Sequence, residues 1–179
     1  MRHFAISAVG RDRPGIVAAV SRVLLDHELN VEDSQMTILR GHFAMMLVVA
    51  APGAVDPDRL RRARAATGDR LGLDAISVSE VGALERPGPE PSHIVTVYGV
   101  DHPGIVHAAA TALADRDVDI TDLNTRLVDE EGGQPLYALM MEVALPAGSD
   151  AGELRTALEA VGRAQGVEVT LRELEQDVL

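Results

Sequence analysis

Two short segments carry the residues whose types and spacing could do chemistry. Asp12-Arg13-Pro14-Gly15-Ile16-Val17 follows Gly10 and Arg11, and the same order returns as Asp101-His102-Pro103-Gly104-Ile105-Val106 after Gly99 and Val100. Proline suits the first turn of a helix, where its missing N–H would have had no intrahelical partner. Glycine permits unusual dihedrals or the close approach of another backbone. Each segment therefore reads as a strand-to-helix turn, and two uses of it stay open. Pro and Gly could simply make a tight turn while the Asp caps the helix. Alternatively, the free N–H groups at the helix start, at the positive end of its dipole, could bind a carboxylate while Asp12 or Asp101 accepts from an ammonium group. An α-amino acid offers both groups. In the first segment Arg11 and Arg13 flank Asp12, so both charges of a zwitterion could be met there.

The elements that must position these turns repeat with them. The offset that superposes the two turns also aligns Val31 with Ile120 and Asp33 with Asp122; farther on, Phe43-Ala44 through Pro52 matches Tyr137-Ala138 through Pro146. The second copy carries a polar insertion around Asp129-Glu130-Glu131-Gly132-Gly133, of the kind that sits in hairpin loops. Glu85-Arg86-Pro87-Gly88-Pro89-Glu90-Pro91 separates the copies; its prolines cannot continue a helix or a central strand. We read domains over 1–84 and 93–179 with a Pro-rich linker over 85–92.

Within the first copy the pattern predicts a strand over about 3–10, a helix over about 15–28, two strands joined by a polar turn at Arg40-Gly41, a helix over about 56–71 and a strand over about 73–81. Ile16, Val20, Val23 and Leu24 form one apolar helical stripe, and Leu154, Ala157, Leu158 and Val161 form another. A helix with one stripe needs a sheet face to cover, and right-handed crossovers then give a four-stranded antiparallel sheet with both helices on one side. The expected fold class is α+β, two tandem ferredoxin-like βαββαβ domains. Phe43-Ala44-Met45-Met46-Leu47-Val48-Val49 is apolar at successive positions, so the face without helices is expected to be covered too.

Composition removes several function classes. Acidic residues outnumber basic ones by 28 to 16, for a formal net charge of −12, which opposes direct binding to nucleic acid or to anionic membranes. The chain has no cysteine and no lysine, which excludes thiolate nucleophiles, disulfides, Cys-based zinc sites and lysine Schiff bases. No apolar run approaches the roughly 20 residues of a spanning helix and none resembles a signal peptide. A cytoplasmic protein is expected.

Other clusters read as structural. His93, His102 and His107 do not share one helical face and are expected to be solvated or locally bonded, not metal ligands. The methionine pairs Met45-Met46 and Met140-Met141 suit core or interface packing. Asp129-Glu130-Glu131 lacks the spaced oxygen ligands of a calcium loop. No G-x-S-x-G elbow or other catalytic constellation occurs.

With the D-x-P-G-I-V turns in place, Asn30-Val31 and Asp119-Ile120 each supply a polar residue ahead of an aliphatic one. In these features the chain resembles the ACT domain family of small-molecule sensing modules. Over nearly its whole length it is most similar to the two-ACT proteins related to the glycine cleavage system transcriptional repressor, which lack a catalytic or DNA-binding domain. The resemblance implies that effectors bind where ACT modules meet. The implied site residues are Asp12, Arg13, Pro14, Gly15, Ile16 and Asn30 in the first copy, and Asp101, His102, Gly104, Ile105 and Asp119 in the second. It implies a regulatory protein and not an enzyme, without cofactor or metal. Its ligand would be an amino-acid effector, its assembly a homodimer, its further partner a protein, and its setting glycine cleavage or amino-acid metabolism, including transcriptional regulation. A ligand-free dimerisation module, or a regulatory subunit of a separate enzyme, is the alternative. The sequence departs from the serine-binding form of the motif, which has amides where Asp12, Asp101 and Asp119 stand and a His in place of Gly10. Asp119 beside Asp101 would repel a carboxylate, which ranks the first site ahead of the second.

Overall fold

The computed structural model describes residues 2–51, 68, 72–82, 88–128 and 135–174. The chain divides into two compact units, Met1–Arg86 and Pro87–Leu179. No helix among the described residues is long and apolar enough to cross a membrane.

In the first unit, β1 (Arg2–Arg11) leads into α1 (Ile16–Asp26), followed by β2 (Asn30–Leu39), β3 (His42–Ala51) and β4 (Leu73–Val81). The antiparallel sheet has the order β2-β3-β1-β4. Alternation along β1 buries Phe4, Ile6 and Ala8, which meet Phe43, Leu47, Val49 and Ala51 of β3 and the α1 stripe of Ile16, Val20 and Leu24. The helix expected over 56–71 lies outside the described residues apart from Gly68, which is helical, as do the insertion at Asp129–Gly133 and part of the linker. The turn at Arg40-Gly41 is a two-residue hairpin between paired Leu39 and His42, with φ of 48° and 81°, the double positive φ that matches the twist of the flanking strands.

The second unit repeats the plan with β5 (His93–Val100), α2 (Ile105–Ala114), β6 (Asp119–Val128), β7 (Leu136–Ala144), α3 (Ala151–Gln165) and β8 (Glu168–Glu173). Its sheet order is β6-β7-β5-β8, and α3 packs on α2 and β8. Val95, Val97, Leu139, Met141 and Val143 form the sheet side of the core, and Ile105, Leu113, Leu154 and Leu158 the helix side. Asp150 caps α3 by accepting from the Gly152 N–H at 2.7 Å, and Gly166 ends it at φ 66°. Here the α+β, ferredoxin-like arrangement with both helices on one face is seen complete.

The helix-free face is more mixed than the run around Phe43–Val49 suggests. Met46, Tyr98 and Met140 are exposed on it. Next to them, hydroxyls pair across strands, Ser7 with Ser77 at 2.7 Å and Thr96 with Thr170 at 2.6 Å. Such pairs satisfy polar groups across strands, the first of them exposed and the second part-buried.

One close approach recurs in both units. A Cβ on Gly10 would stand 2.9 Å from the Leu73 Cα, and a Cβ on Gly99 2.7 Å from the Val167 side chain. The last strand can enter beside the first only where the first has no side chain. Gly99→Ala is therefore expected to destabilise the protein by about 1–3 kcal/mol, the usual cost of overpacking. Gly88→Ala, which meets open space, should leave the urea midpoint unchanged; equal midpoints for the two variants would contradict the packing assignment.

Candidate ligand site

Each turn delivers a helix start that no side chain caps. Gly15 and Gly104 occupy the N-cap positions of α1 and α2 at φ 92° and 107°, and neither helix has a side-chain cap or an acidic residue in its first turn. The first intrahelical bonds run from the Ala19 and Ala108 N–H groups to the Gly15 and Gly104 carbonyls. Helices normally recruit Ser, Thr, Asp or Asn to satisfy the preceding N–H groups; here no side chain among the described residues does so, at the positive end of the helix dipole. Asp12 does not cap the helix. Its N–H instead donates to the Gly41 carbonyl at 2.9 Å, tying the turn to the β2–β3 hairpin, and the Asp101 N–H donates likewise to Pro135. The Asp12 carboxylate is exposed and has no partner among the described residues.

The side chains of Ile16 and Ile105 are 2% exposed and belong to the cores, so only their backbone can meet a ligand. Pro14 and Gly15 lie on the surface. No side-chain Cβ is excluded at Gly15 by space, since nothing lies within 4 Å; the left-handed φ alone demands glycine there. At Gly10 the demand is close contact with Leu73, which gives a structural reason why the histidine of the serine-binding motif is missing.

Asn30 does not join Asp12 within the module. It opens β2 opposite Ala50, which is paired in turn with His3 at the start of β1, whereas Asp12 follows the end of β1. At about 3.3 Å per residue, the eight steps from His42 to Ala50 put the two residues roughly 27 Å apart. Asp119, opposite Ala144, and Asp101, bonded to Pro135, are separated in the same way. Asp119 and Asp101 therefore do not stand side by side within one module.

The basic member of each turn is engaged by the fold. His102 Nε2 lies 2.8 Å from the carbonyl oxygen of Gln165 at the end of α3, and Nδ1 lies 3.1 Å from that of Pro103. The carbonyls of Pro103 and Gln165, with the charge of Asp101, raise the histidine pKa above 6.5. Arg13 stands at the matching place, its Nη2 3.9 Å from where a Cβ of Gly72 would be. Asp101 also acts on Tyr137, whose pKa is raised mainly by burial. Gln165, Gly72 and Gly166 were not singled out from the sequence; the signal available was a glycine just past each apolar helical stripe. No group of His, Asp and Glu fit to hold a metal occurs among the described residues.

The sequence pattern of the ACT domain matches residues 2–76 and 93–172. The chain belongs to the ACT domain family. A UPF0237 protein of Methanopyrus kandleri is 43% identical over 77 residues, 42% of this chain and 86% of that protein. The phosphoserine phosphatase SerB2 of Mycobacterium tuberculosis is 26% identical over 169 residues, 94% of this ACT chain but 40% of the phosphatase. The crystal structure of an unknown protein from Galdieria sulphuraria superposes with a TM-score of 0.79 at 31% identity, covering 97% of this chain and 98% of that one. That of a putative glycine cleavage system transcriptional repressor superposes at 0.68 with 19% identity and 97% coverage of both, a likeness of fold.

Because the Asp12 carboxylate is exposed and has no partner among the described residues, Asp12→Ala is expected to change stability by less than about 0.5 kcal/mol, as at ordinary surface positions. Gly15→Val should cost at least about 1 kcal/mol through its left-handed backbone. Urea denaturation of both variants checks this; a large loss in Asp12→Ala would show that the carboxylate serves the fold.

Proposed function

We propose that this ACT protein is a regulatory sensor that binds an amino acid at the Asp12–Ile16 turn and passes the change in module packing to a protein partner. The observation that carries this reading is the uncapped start of α1 beside an exposed carboxylate without a partner among the described residues. Uncapped N–H groups take the ligand carboxylate and Asp12 takes the ammonium. Binding energy of this kind can shift a packing equilibrium only by the difference in affinity between its states.

Asn30 then comes from a second copy of the chain. β2 is an edge strand exposed along its whole length, with Val31, Met36, Ile38 and Leu39 among its exposed apolar residues. Antiparallel pairing of two such strands in full register sets Asn30 of one copy beside Leu39 of the other, next to the hairpin that holds Asp12. A two-fold dimer of this sort is the commonest closed assembly. The second module has Asp119 in place of the amide, which disfavours the same carboxylate and supports a mainly structural or assembly role for that copy.

The relatives suggest where to begin a ligand screen. A phosphatase acting on phosphoserine releases serine, and glycine is the substrate named by glycine cleavage, so these two amino acids come first. A ligand at 100 times its dissociation constant stabilises the folded state by about 2.7 kcal/mol. The expected result is a thermal shift with one or two amino acids, lost in Asp12→Ala and in Asn30→Ala, with the dimer retained. If no amino acid shifts the transition while the chain still dimerises, the ligand-free assembly module is the better description.

A further inference from the structure

We propose that His102 is a proton-operated latch between the turn and the end of α3 in the second module, and that Arg13 is its permanently charged counterpart in the first. The geometry is specific. Both ring nitrogens of His102 face carbonyl oxygens, Pro103 at 3.1 Å and Gln165 at 2.8 Å. A carbonyl only accepts, so both contacts are hydrogen bonds only when both nitrogens carry protons; in the neutral ring one nitrogen turns a lone pair toward an oxygen. The Gln165 carbonyl is one of the last of α3, where the helix dipole favours a cation. The Gln165 side chain reaches back as well, its Oε1 3.6 Å from where a Cβ of Gly104 would stand.

At the matching position of its turn the first module carries a different chemistry. Arg13 aligns with His102, and Gly72 stands like Gly166 just ahead of the last strand, at φ 57° against 66°. The Arg13 guanidinium lies over Gly72 and keeps its charge throughout the physiological range.

The sign of the pH effect follows from the raised pKa of His102, caused first by Pro103, then by Gln165 and Asp101. The latch contributes fully below 6.5, the ordinary histidine value, and is lost as pH rises through the higher folded-state value. Asp101, on the turn itself, is the charge acting on the ring; from α3 it meets the Gln165 carbonyl. Any effect on ligand affinity rests on the turn being a ligand site, but the latch itself does not.

NMR titration of the full chain without ligand tests it, with His102→Arg and His102→Gln as variants. In the wild type, the His102 ring and the Gly104 and Gly166 amides should titrate together with a midpoint above 6.5. In His102→Arg, which copies the first module, both amide titrations should vanish while their shifts stay near those of the acidic wild type. In His102→Gln they should resemble the wild type at high pH. A His102 midpoint at or below 6.5, or glycine titrations that persist in His102→Arg, would overturn the latch. Because no ligand is present, failure here leaves the proposed sensor function untouched, and failure of that function leaves the latch standing.

Discussion

Where the first strand of each module ends, its backbone and the entry of the last strand come so close that no Cβ fits between them, at Gly10 against Leu73 and at Gly99 against Val167. Much of the site depends on this contact. It fixes where the last strand begins, and in the second module therefore where α3 must stop. In the second module that stop places the Gln165 carbonyl over the turn, within reach of His102. The turn is held on its other side by the N–H of Asp101 or Asp12, bonded to the hairpin between the middle strands. A segment with no helical or strand ladder of its own is thus kept in one conformation by its two neighbours.

Much of the fold was legible because local signals agreed with one another. The duplicated turn, the apolar stripe of Ile16, Val20 and Leu24, and the Arg40-Gly41 hairpin each pointed to the same order of elements, and agreement across levels is what marks a foldable sequence. The site was legible only as a list of residues. Sequence spacing gives no measure of which end of a strand a residue occupies until the pairing is known, so the spacing of Asp12 and Asn30 did not show that a whole strand separates them within one module. The capping role considered for Asp12 failed for a related reason. Pro14 and Gly15 lie between it and the helix, and Gly15 itself takes the N-cap place.

The mixed character of the helix-free face has a similar origin. The apolar run in β3 belongs to a strand paired on both sides, and its alternate residues do bury themselves under α1. Its neighbour β1 contributes Ser7, whose partner Ser77 lies far away in sequence. A cross-strand hydroxyl pair is a property of register, and register emerges only when the strands are assembled.

The duplicated motif therefore has to be divided before it can be read as function. Gly15 and Gly104 are required by a left-handed backbone, Gly10 and Gly99 by close contact, and Ile16 and Ile105 by the core. These positions would persist in a module that binds nothing, and their presence in both copies says little about a ligand. Among the described residues the Asp12 carboxylate has no partner, and the side chains at the start of β2 and β6, where Asn30 and Asp119 differ, are exposed. A difference in charge at a position free of structural duty is the kind of change that alters recognition without altering the fold. On that ground the two modules differ in the charge they would present to a ligand while sharing one scaffold.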